Sequence, residues 1–418
     1  MIWSYVRRVA VLLVVLAAAA LPPPFSPLQA QSLPTHTVLP GDTWDALAWR
    51  YGFDAAALQA TSPYPNPLRQ PVIGTALTLP GQPPLNRPGQ MSRTRGSLFN
   101  LALQSGQNVY QLARDNGLSD PILPTFYRPL FAAGREQPPR DLPVGVTSLD
   151  VSHLLAQPGW GLAIRGTVAE NGSLTATLDA AAFNVLVENN HFVGVVGTGA
   201  FHRAGDWPLA VQVEGEPLWS QPWRMGSGVW EYQELTLTGA AAAITAEQIT
   251  AERERLFALW NQATPTLYWD APFQLPINDF LSLSALYGVR RAYNGGDYNT
   301  YHEGVDFSAY GGTPVFAAAT GQVVVAELLH VRGGTVIIDH GLGIYTGVYH
   351  LSDISAQVGQ MVQPGDPVGA VGTTGLSTGN HLHWDLLVAG TWVNGLAWAE
   401  QNMACWLLAG LGRPCPAA

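Results

Sequence analysis

The chain has 418 residues, which suggests about three domains at ~150 residues each. Its hydrophobic fraction of 47% excludes intrinsic disorder, and its formal net charge of −10 gives no electrostatic footprint for nucleic acid. Charged residues make up only 12% of the chain, against ~25% in a typical soluble protein. With 44 glycines and 32 prolines but no collagen-like period, this composition favours a β-rich, loop-rich protein.

Residues 1–30 have the organisation of a secretory signal peptide. Arg7 and Arg8 precede the apolar run 9–21. Its length of about 13 residues suits a signal core and falls short of the ~20 residues that span a bilayer. A loose match to a cleavage site ends at Ala30. We therefore expect a secreted or cell-envelope protein, with an uncleaved N-terminal membrane anchor as the alternative.

Residues 35–81 predict a small β-α-α-β module. The pattern gives, in chain order, a strand at 36–39, a Pro40-Gly41 turn, a helix from Trp44 to Tyr51, a helix over 54–61 and a strand over 76–79. Asp42 or Thr43 can cap the first helix, and Gly52 ends it.

This module resembles the LysM family. The motifs that carry the resemblance are His36-Thr37-Val38-x-Pro40-Gly41-Asp42-Thr43 and Ala48-x-x-Tyr51-Gly52. It implies binding to the N-acetylglucosamine backbone of peptidoglycan or chitin, in a groove between the first strand–helix loop and the second helix–strand loop. The second loop has Ser62-Pro63-Tyr64-Pro65 where the family usually has Asn-Pro, so the alternative is a small fold that has lost its ligand.

A later segment of the chain shows a weaker form of the same sequence pattern. Residues 104–118 repeat the turn, helix and glycine, with Gln107-Asn108 in place of the Asp-Thr cap. We expect a degenerate LysM-like repeat over residues 95–145 that serves as a structural spacer.

The sequence of the middle of the chain predicts a structural region without catalytic motifs. Short alternating runs over 148–240 indicate an immunoglobulin-like β-sandwich, and Asn171-Gly172 between two of them predicts a β-hairpin. A helical linker is expected at 245–275, and we interpret its charges as a solvent-exposed face. The histidines of the sandwich are expected to be structural; they are His153, His191 and His202.

Six of the ten histidines lie between His302 and His383, in the predicted domain 276–400. A histidine and an aspartate four apart, His302 and Asp306, can reach one metal from a loop that enters a strand. His381 and His383 face the same side of a strand, because side chains alternate there. His350 follows an apolar stretch at a predicted strand end. Three ligands of these types with an open fourth position are typical of catalytic zinc sites.

Residues 283–398 are similar to the M23, or lysostaphin-type, zinc endopeptidases of bacterial cell walls. The similarity rests on several motifs, including Tyr287-Gly288-x-Arg290, His302-x-Gly304-x-Asp306-Phe307, Tyr349-His350-Leu351 and Gly379-x-His381-Leu382-His383. It implies a compact antiparallel β domain with a peptide groove and one Zn²⁺ per chain, bound by His302, Asp306 and His383. It further implies that His350 and His381 act in proton transfer and transition-state stabilisation.

The expected fold is therefore multidomain and mostly β, with N-terminal βααβ LysM modules, a middle β-sandwich and a C-terminal antiparallel β metallopeptidase domain. The expected function is a zinc endopeptidase that cuts peptide cross-links of peptidoglycan, with the peptidase on the peptide stems and LysM on the glycan. Tyr298 or Tyr301 could donate to the developing oxyanion. The alternatives are an inactive wall-binding regulator of a separate amidase and a purely structural scaffold.

The two cysteines, Cys405 and Cys415, lie in a predicted C-terminal tail of residues 401–418. An exported chain meets oxidising conditions, which favour a short disulfide between them. The alternative is a pair of free thiols. Two cysteines are too few for a four-thiolate zinc site.

Overall fold

The structure, a computed structural model, describes residues 33–62, 70–87, 89–93, 97–122, 129–132, 141–169 and 172–416. The protein is mostly β, as the sequence predicts. The predicted signal peptide and most of the Pro-rich loop of the first module lie outside the described residues. Across the described ranges, no helix is both long and apolar enough to cross a membrane.

The first module contains β1 (Thr35–Thr37), α1 (Trp44–Tyr51), α2 (Ala55–Ala60) and β2 (Ala76–Thr78). β1 pairs antiparallel with β2. Thr43 caps α1 by accepting a hydrogen bond from the N–H of Ala46, and Gly52 ends the helix in the left-handed region. The β-α-α-β prediction for this module is confirmed.

A second β-α-α-β unit follows, with β3 (Gln90–Arg93), α3 (Leu98–Ser105), α4 (Val109–Asp115) and β4 (Pro129–Ala132). β3 pairs antiparallel with β4. Asn108 caps α4, the second helix of the unit. The predicted cap at Gln107-Asn108 is therefore present, and it begins the second helix of the unit because Gly106 ends α3 just before it.

Two four-stranded antiparallel sheets form the middle of the molecule. Their strands are β5 (Val146–Val151), β6 (Gly161–Val168), β7 (Leu174–Leu178), β8 (Ala181–Ala182), β9 (Asn184–Glu188), β10 (His191–Gly197), β11 (Gly205–Val213) and β12 (Trp219–Met225). The sheet orders are β5-β6-β10-β9 and β12-β11-β7-β8. Apolar side chains from both sheets share one core, so the two sheets form a β-sandwich.

Two details of the sandwich differ from the sequence prediction. The strands on either side of Asn171-Gly172, β6 and β7, pair in different sheets, so the predicted hairpin is wrong. The strand order also differs from the immunoglobulin arrangement, in which four strands in the order ABED face CFG. The hairpin prediction fails because the chain passes from one sheet to the other after β6. Burial of the apolar inner faces of both sheets in one core outweighs the local turn preference of Asn171-Gly172.

The first module is fixed to β12, an edge strand of the sandwich. The buried side chain of Gln221 accepts from the N–H of Gly41 at 2.8 Å. Its amide donates to the carbonyl oxygens of Asp42 at 3.0 Å and Pro71 at 2.9 Å. These three hydrogen bonds satisfy a buried polar group and hold both loops of the module against the sheet.

The connecting segment contains β13 (Tyr232–Leu235), α5 (Gly239–Ala242) and α6 (Ala246–Trp260). Thr245 and Gln248 form a capping box at the start of α6. The interpretation of its charges as a solvent-exposed face is wrong in one respect. Glu252 is buried together with Leu256 and Trp260 on the face of α6 that packs against the C-terminal domain.

The C-terminal domain is built on β14 (Ser282–Ala285), β15 (Arg290–Tyr293), β16 (Thr300–Tyr301), β17 (Gly304–Ser308), β18 (Pro314–Phe316), β19 (Gly321–Leu329), β20 (Gly333–Gly341), β21 (Ile344–Leu351), β22 (Asp353–Ile354), β23 (Met361–Val362), β24 (Pro367–Ala370), β25 (His381–Val388) and β26 (Thr391–Val393). Its main antiparallel sheet has the order β14-β17-β25-β21-β20-β19-β23, and β26 adds to β25. Two small sheets, β18-β24-β22 and β13-β15-β16, flank it.

The last helices, α7 (Gly395–Glu400) and α8 (Met403–Gly410), join the two β units. Ala163 and Val193 on the outer face of the sandwich pack in one cluster with Val388 of β25 and Leu407 of α8. β6 is therefore buried on both faces rather than alternating. Cys405 and Cys415 form a disulfide. The segment predicted as a tail is an integral part of this shared core.

Trp230 and Arg290 lie where the sandwich, the connecting segment and the C-terminal domain meet. The guanidinium of Arg290 lies 4.2 Å from the ring centre of Phe201 and 4.8 Å from that of Trp230. Gly288 has a φ of +85°, and a Cβ there would overlap the Trp230 ring. The joint therefore needs glycine both for its backbone conformation and for space.

We predict that Gly288→Ala lowers the thermal unfolding temperature further than Gly312→Ala. Gly312 has nearly the same φ, +86°, but open space around it, so alanine there costs only the ~1–2 kcal/mol of left-handed backbone. At Gly288 the displacement of Trp230 adds to that cost. Calorimetry of the two variants checks this, and equal unfolding temperatures would contradict the packing argument.

Candidate metal centre

The site is set by the pairing of two antiparallel strands, β17 and β25. Their register puts Asp306 opposite His383 and Ser308 opposite His381. His302 lies two residues before β17, in the loop that enters it. The expected sharing of one strand face by His381 and His383 is observed, since Leu382 and Trp384 are buried on the other face.

Three side chains present donor atoms to one point. The Oδ1 atom of Asp306 lies 3.0 Å from Nε2 of His302 and 2.8 Å from Nδ1 of His383. Nδ1 of His302 donates to the carbonyl oxygen of Leu286 at 2.9 Å, which leaves Nε2 with a lone pair for the cluster. Two imidazoles and one carboxylate that converge in this way are a ligand set that fits one zinc ion.

Gly304 is needed between the ligands. A Cβ at this position would overlap the carbonyl group of Trp384 and lie 2.6 Å from Nε2 of His383. The glycine in the motif therefore allows β17 and β25 to approach closely enough for the ligands to meet.

His350 and His381 lie beside this cluster, with ring centres 4.8 Å apart. Nδ1 of His350 donates to the carbonyl oxygen of Thr374 at 2.7 Å, and Nδ1 of His381 donates to that of Gly379 at 2.8 Å. These bonds leave both Nε2 atoms for the cavity. Nε2 of His381 is 3.8 Å from Oδ1 of Asp306. The structure thus brings together all five residues that the sequence singled out.

Burial and neighbouring charges set the protonation of the cluster. Burial alone would raise the pKa of Asp306, but the charge and hydrogen bond of His302 and those of His383 outweigh it and hold that pKa well below its usual range. Burial lowers the pKa of His383 to about 3, and burial with the neighbouring His381 lowers that of His350 to about 4. A carboxylate and neutral imidazoles at pH 7 are the forms that bind a metal ion.

A cavity of about 640 Å³ opens onto the five residues. One wall comes from outside the C-terminal domain, from β13 and α6, and contributes Leu235, Ile249 and Arg253. The opposite wall is the loop 376–380 before β25. The lining includes His302, Asp306 and His383, so the cavity gives access to the candidate metal ligands.

Several contacts around the cluster are not predicted by the sequence. Arg291 donates to Oδ2 of Asp306 at 3.3 Å and to Oε1 of Gln233 on β13 at 3.1 Å, which fixes the second carboxylate oxygen. The hydroxyl group of Tyr349 donates to Asp385, and burial raises the pKa of that acid to about 7. Tyr349 lies within a quoted motif, but Asp385 is distant from it in sequence.

The two tyrosines considered as oxyanion donors lie in different places. Tyr301 lines the cavity, with its ring packed against Phe201 and Tyr287. Tyr298 packs against Tyr232 and is not among the residues that line the cavity. Neither position singles out an oxyanion donor.

Three other histidines lie outside the cluster of five. His340 is fully buried, its Nδ1 donates to the carbonyl oxygen of Thr320, and its Nε2 accepts from Thr346. Burial lowers the pKa of His340 to about 4. His153 hydrogen-bonds Ser152 and Gln401, while His330 is exposed on the surface.

Comparison with protein families identifies two segments. The model of peptidase family M23 matches residues 300–395, and the model of the LysM domain matches residues 36–80. The first match contains all five clustered residues. The second spans the first β-α-α-β module.

Similar proteins include peptidoglycan hydrolases. The chain is 36% identical over 121 residues to the peptidoglycan DD-endopeptidase ShyA of Vibrio cholerae, which is 29% of this chain and 28% of that protein. It is 41% identical over 93 residues to the DD-carboxypeptidase/endopeptidase Mpg of Neisseria meningitidis, which is 22% of this chain and 21% of that protein. The chain thus spans about a quarter of the length of these relatives.

Among solved structures, the catalytic domain of lysostaphin from Staphylococcus simulans is similar at 28% identity. The match covers 32% of this chain and 90% of that domain, with a TM-score of 0.23.

We predict one zinc ion per wild-type chain and loss of zinc in His383→Ala. His350→Ala should retain zinc, because the His350 ring lies outside the three-residue donor set. Elemental analysis after dialysis against stoichiometric zinc measures both, with His330→Ala as the control for an exposed histidine. If His350→Ala lost zinc as completely as His383→Ala, the assignment of ligands would be wrong.

Proposed function

We propose that this chain, which carries a peptidase family M23 domain and a LysM domain, is an exported zinc endopeptidase that hydrolyses peptide cross-links of peptidoglycan. The convergence of His302, Asp306 and His383, with His350 and His381 beside them, carries the proposal. Similar proteins named peptidoglycan DD-endopeptidases support the substrate class. Export through residues 1–30 and localisation to the cell envelope belong to the proposal.

The three ligands and the two further histidines divide the chemistry between them. His302, Asp306 and His383 would hold the zinc ion, which when bound would lower the pKa of a water molecule from ~15.7 to roughly 7 and polarise a carbonyl group. Asp306 is fixed through both oxygens, Oδ1 towards the histidines and Oδ2 by Arg291. The ligand cluster is therefore oriented by its surroundings before any substrate arrives.

His350 and His381 are placed to move protons and to stabilise developing charge. The lowered pKa of His350 keeps its Nε2 atom unprotonated at neutral pH, so it can accept a proton from the attacking water. The ring of His381 lies 4.8 Å away between ring centres, and in its protonated form its Nε2 atom can donate a hydrogen bond to the oxygen of the scissile carbonyl.

The cavity suits a peptide rather than a folded protein. Its volume of about 640 Å³ accommodates a short extended segment, and its lining contains both apolar and charged side chains. Arg253 and Glu303 pair at 2.9 Å on that rim. Peptide stems of peptidoglycan have this mixed character, with small apolar residues and free charged groups.

We assign the glycan to the junction of the LysM domain and the sandwich. A polar cavity of about 200 Å³ lies there, lined from the module by Asp42, Thr43 and Gln70 and from the sandwich mainly by Trp219 and Gln221. An aromatic ring surrounded by polar groups suits a sugar. Binding glycan and peptide on one chain raises the effective concentration of the enzyme at a polymeric substrate.

We predict that His350→Ala and His381→Ala each lower the hydrolysis of purified sacculi by at least ~10²-fold, the usual contribution of general acid–base catalysis. Both variants should keep zinc. Release of soluble fragments measures activity, and His330→Ala should match the wild type. If wild type, His350→Ala and His383→Ala behave alike on sacculi, the enzyme proposal fails and an inactive wall-binding regulator is favoured.

We also predict that Trp219→Ala weakens co-sedimentation of the full chain with sacculi several-fold. Hydrolysis of soluble cross-linked stem peptides should stay at the wild-type rate, because Trp219 lines the junction cavity and is not among the residues that line the cavity at the metal ligands. Trp207→Ala, on the neighbouring strand of the same sheet but outside the cavity, is the matched control. Equal binding by the two variants would remove the junction cavity as the glycan site.

A further inference from the structure

The turn between β19 and β20 holds two parts of the candidate site through its carbonyl groups. The carbonyl oxygen of Arg332 accepts from the N–H of His350 at 2.9 Å. The carbonyl oxygen of Val331 accepts from the N–H of Leu376 at 2.7 Å, in the loop before β25. The positions of His350 and of the loop before β25 therefore both depend on where this turn lies.

The two N–H groups of the same turn point the other way and bind one carboxylate. The N–H of Val331 donates to Oε2 of Glu252 at 2.7 Å, and the N–H of Arg332 donates to Oε1 at 3.2 Å. Nη1 of Arg332 adds a third bond to Oε1 at 3.2 Å. Glu252 lies on α6, outside the segment that matches the peptidase family.

His350 needs such support because its backbone is strained. Its φ is +63°, in the left-handed region that residues with a side chain rarely adopt. The N–H bond to Arg332 and the Nδ1 bond to Thr374 fix both the backbone and the ring of His350. A conformation that costs energy persists only where its surroundings determine it.

Glu252 is built into the domain rather than attached to its surface. It is 6% exposed, and the Arg332 guanidinium beside it stacks on Trp260 of α6 at 5.2 Å and on Tyr349 of β21 at 5.3 Å. Nη2 of Arg332 also contacts Glu303 at 3.4 Å. Charge-assisted hydrogen bonds in this buried setting are stronger than exposed ones.

We infer that Glu252 is a positioning residue for His350, acting through the backbone of Val331 and Arg332. α6 is thus a functional part of the peptidase, although it lies outside the segment that matches the peptidase family. The inference rests on the proposed function only for the activity of His350.

The test compares Glu252→Ala, Glu252→Gln and Glu254→Ala in the full chain. Glu254 is exposed two residues further along the same helix, so Glu254→Ala removes the same chemical group without the turn contacts. We expect kcat on a soluble cross-linked stem peptide to fall about 10–100-fold in Glu252→Ala, with KM and zinc content unchanged. Glu252→Gln should be intermediate, because one amide oxygen can still accept a hydrogen bond.

Amide hydrogen exchange gives a second readout, independent of activity. Glu252→Ala should speed exchange in peptides that cover residues 344–351 and leave peptides from β6 and β11 at the wild-type rate. An unchanged kcat, a loss of zinc or a uniform rise in exchange would overturn the positioning role. If the wild type showed no activity while Glu252→Ala still sped exchange only in residues 344–351, the proposed function would be contradicted and the positioning role would stand.

Discussion

The antiparallel register between β17 and β25 is the constraint on which the site depends. It sets Asp306 opposite His383, and a shift by one residue would turn every ligand on one strand to the wrong face. Gly304 permits the close approach of the strands, and the apolar residues between the ligands fill the core beneath them. The same pattern that builds the core therefore also builds the metal centre.

Around that register, the molecule uses parts of the chain that a peptidase domain alone does not contain. β13 supplies Gln233 to Arg291, which holds the second oxygen of Asp306. α6 supplies Glu252 to the turn that supports His350. The sandwich contributes Phe201 to the joint at Arg290 and shares a core with α8. The modules thus pack as connected parts whose contacts reach the catalytic groove.

The sequence predicts the metal centre through two local spacings and a family resemblance. His302 and Asp306 are separated by one short turn of chain into a strand, and His381 and His383 by one residue, so spacing indicates each pair. The resemblance to the M23 family joins the pairs into one ligand set, and the pairing of β17 with β25 brings them together. The helix caps are also predicted from neighbouring residues, as Thr43 and Gly52 of α1 show. The spacings and the caps each depend on residues within a few positions of one another.

The sequence does not predict the long-range partners. Glu252 meets a turn about 80 residues away, and no periodicity separates a buried glutamate from an exposed one on a charged helix. Asn171-Gly172 fails as a hairpin signal because the flanking strands find better apolar partners in opposite sheets. The packing of the sandwich against the peptidase domain is likewise not predicted, because the periodicity of a single strand does not show which other strand or helix its second face contacts.

The most direct test of the central claim is mass spectrometry of the muropeptides that the full chain releases from purified sacculi, with and without a metal chelator. The account predicts that cross-linked dimers convert to monomers with the gain of one water per cleaved bond, that chelator stops the conversion and that added zinc restores it. Dimers that persist, or conversion that continues unchanged in chelator, would contradict it.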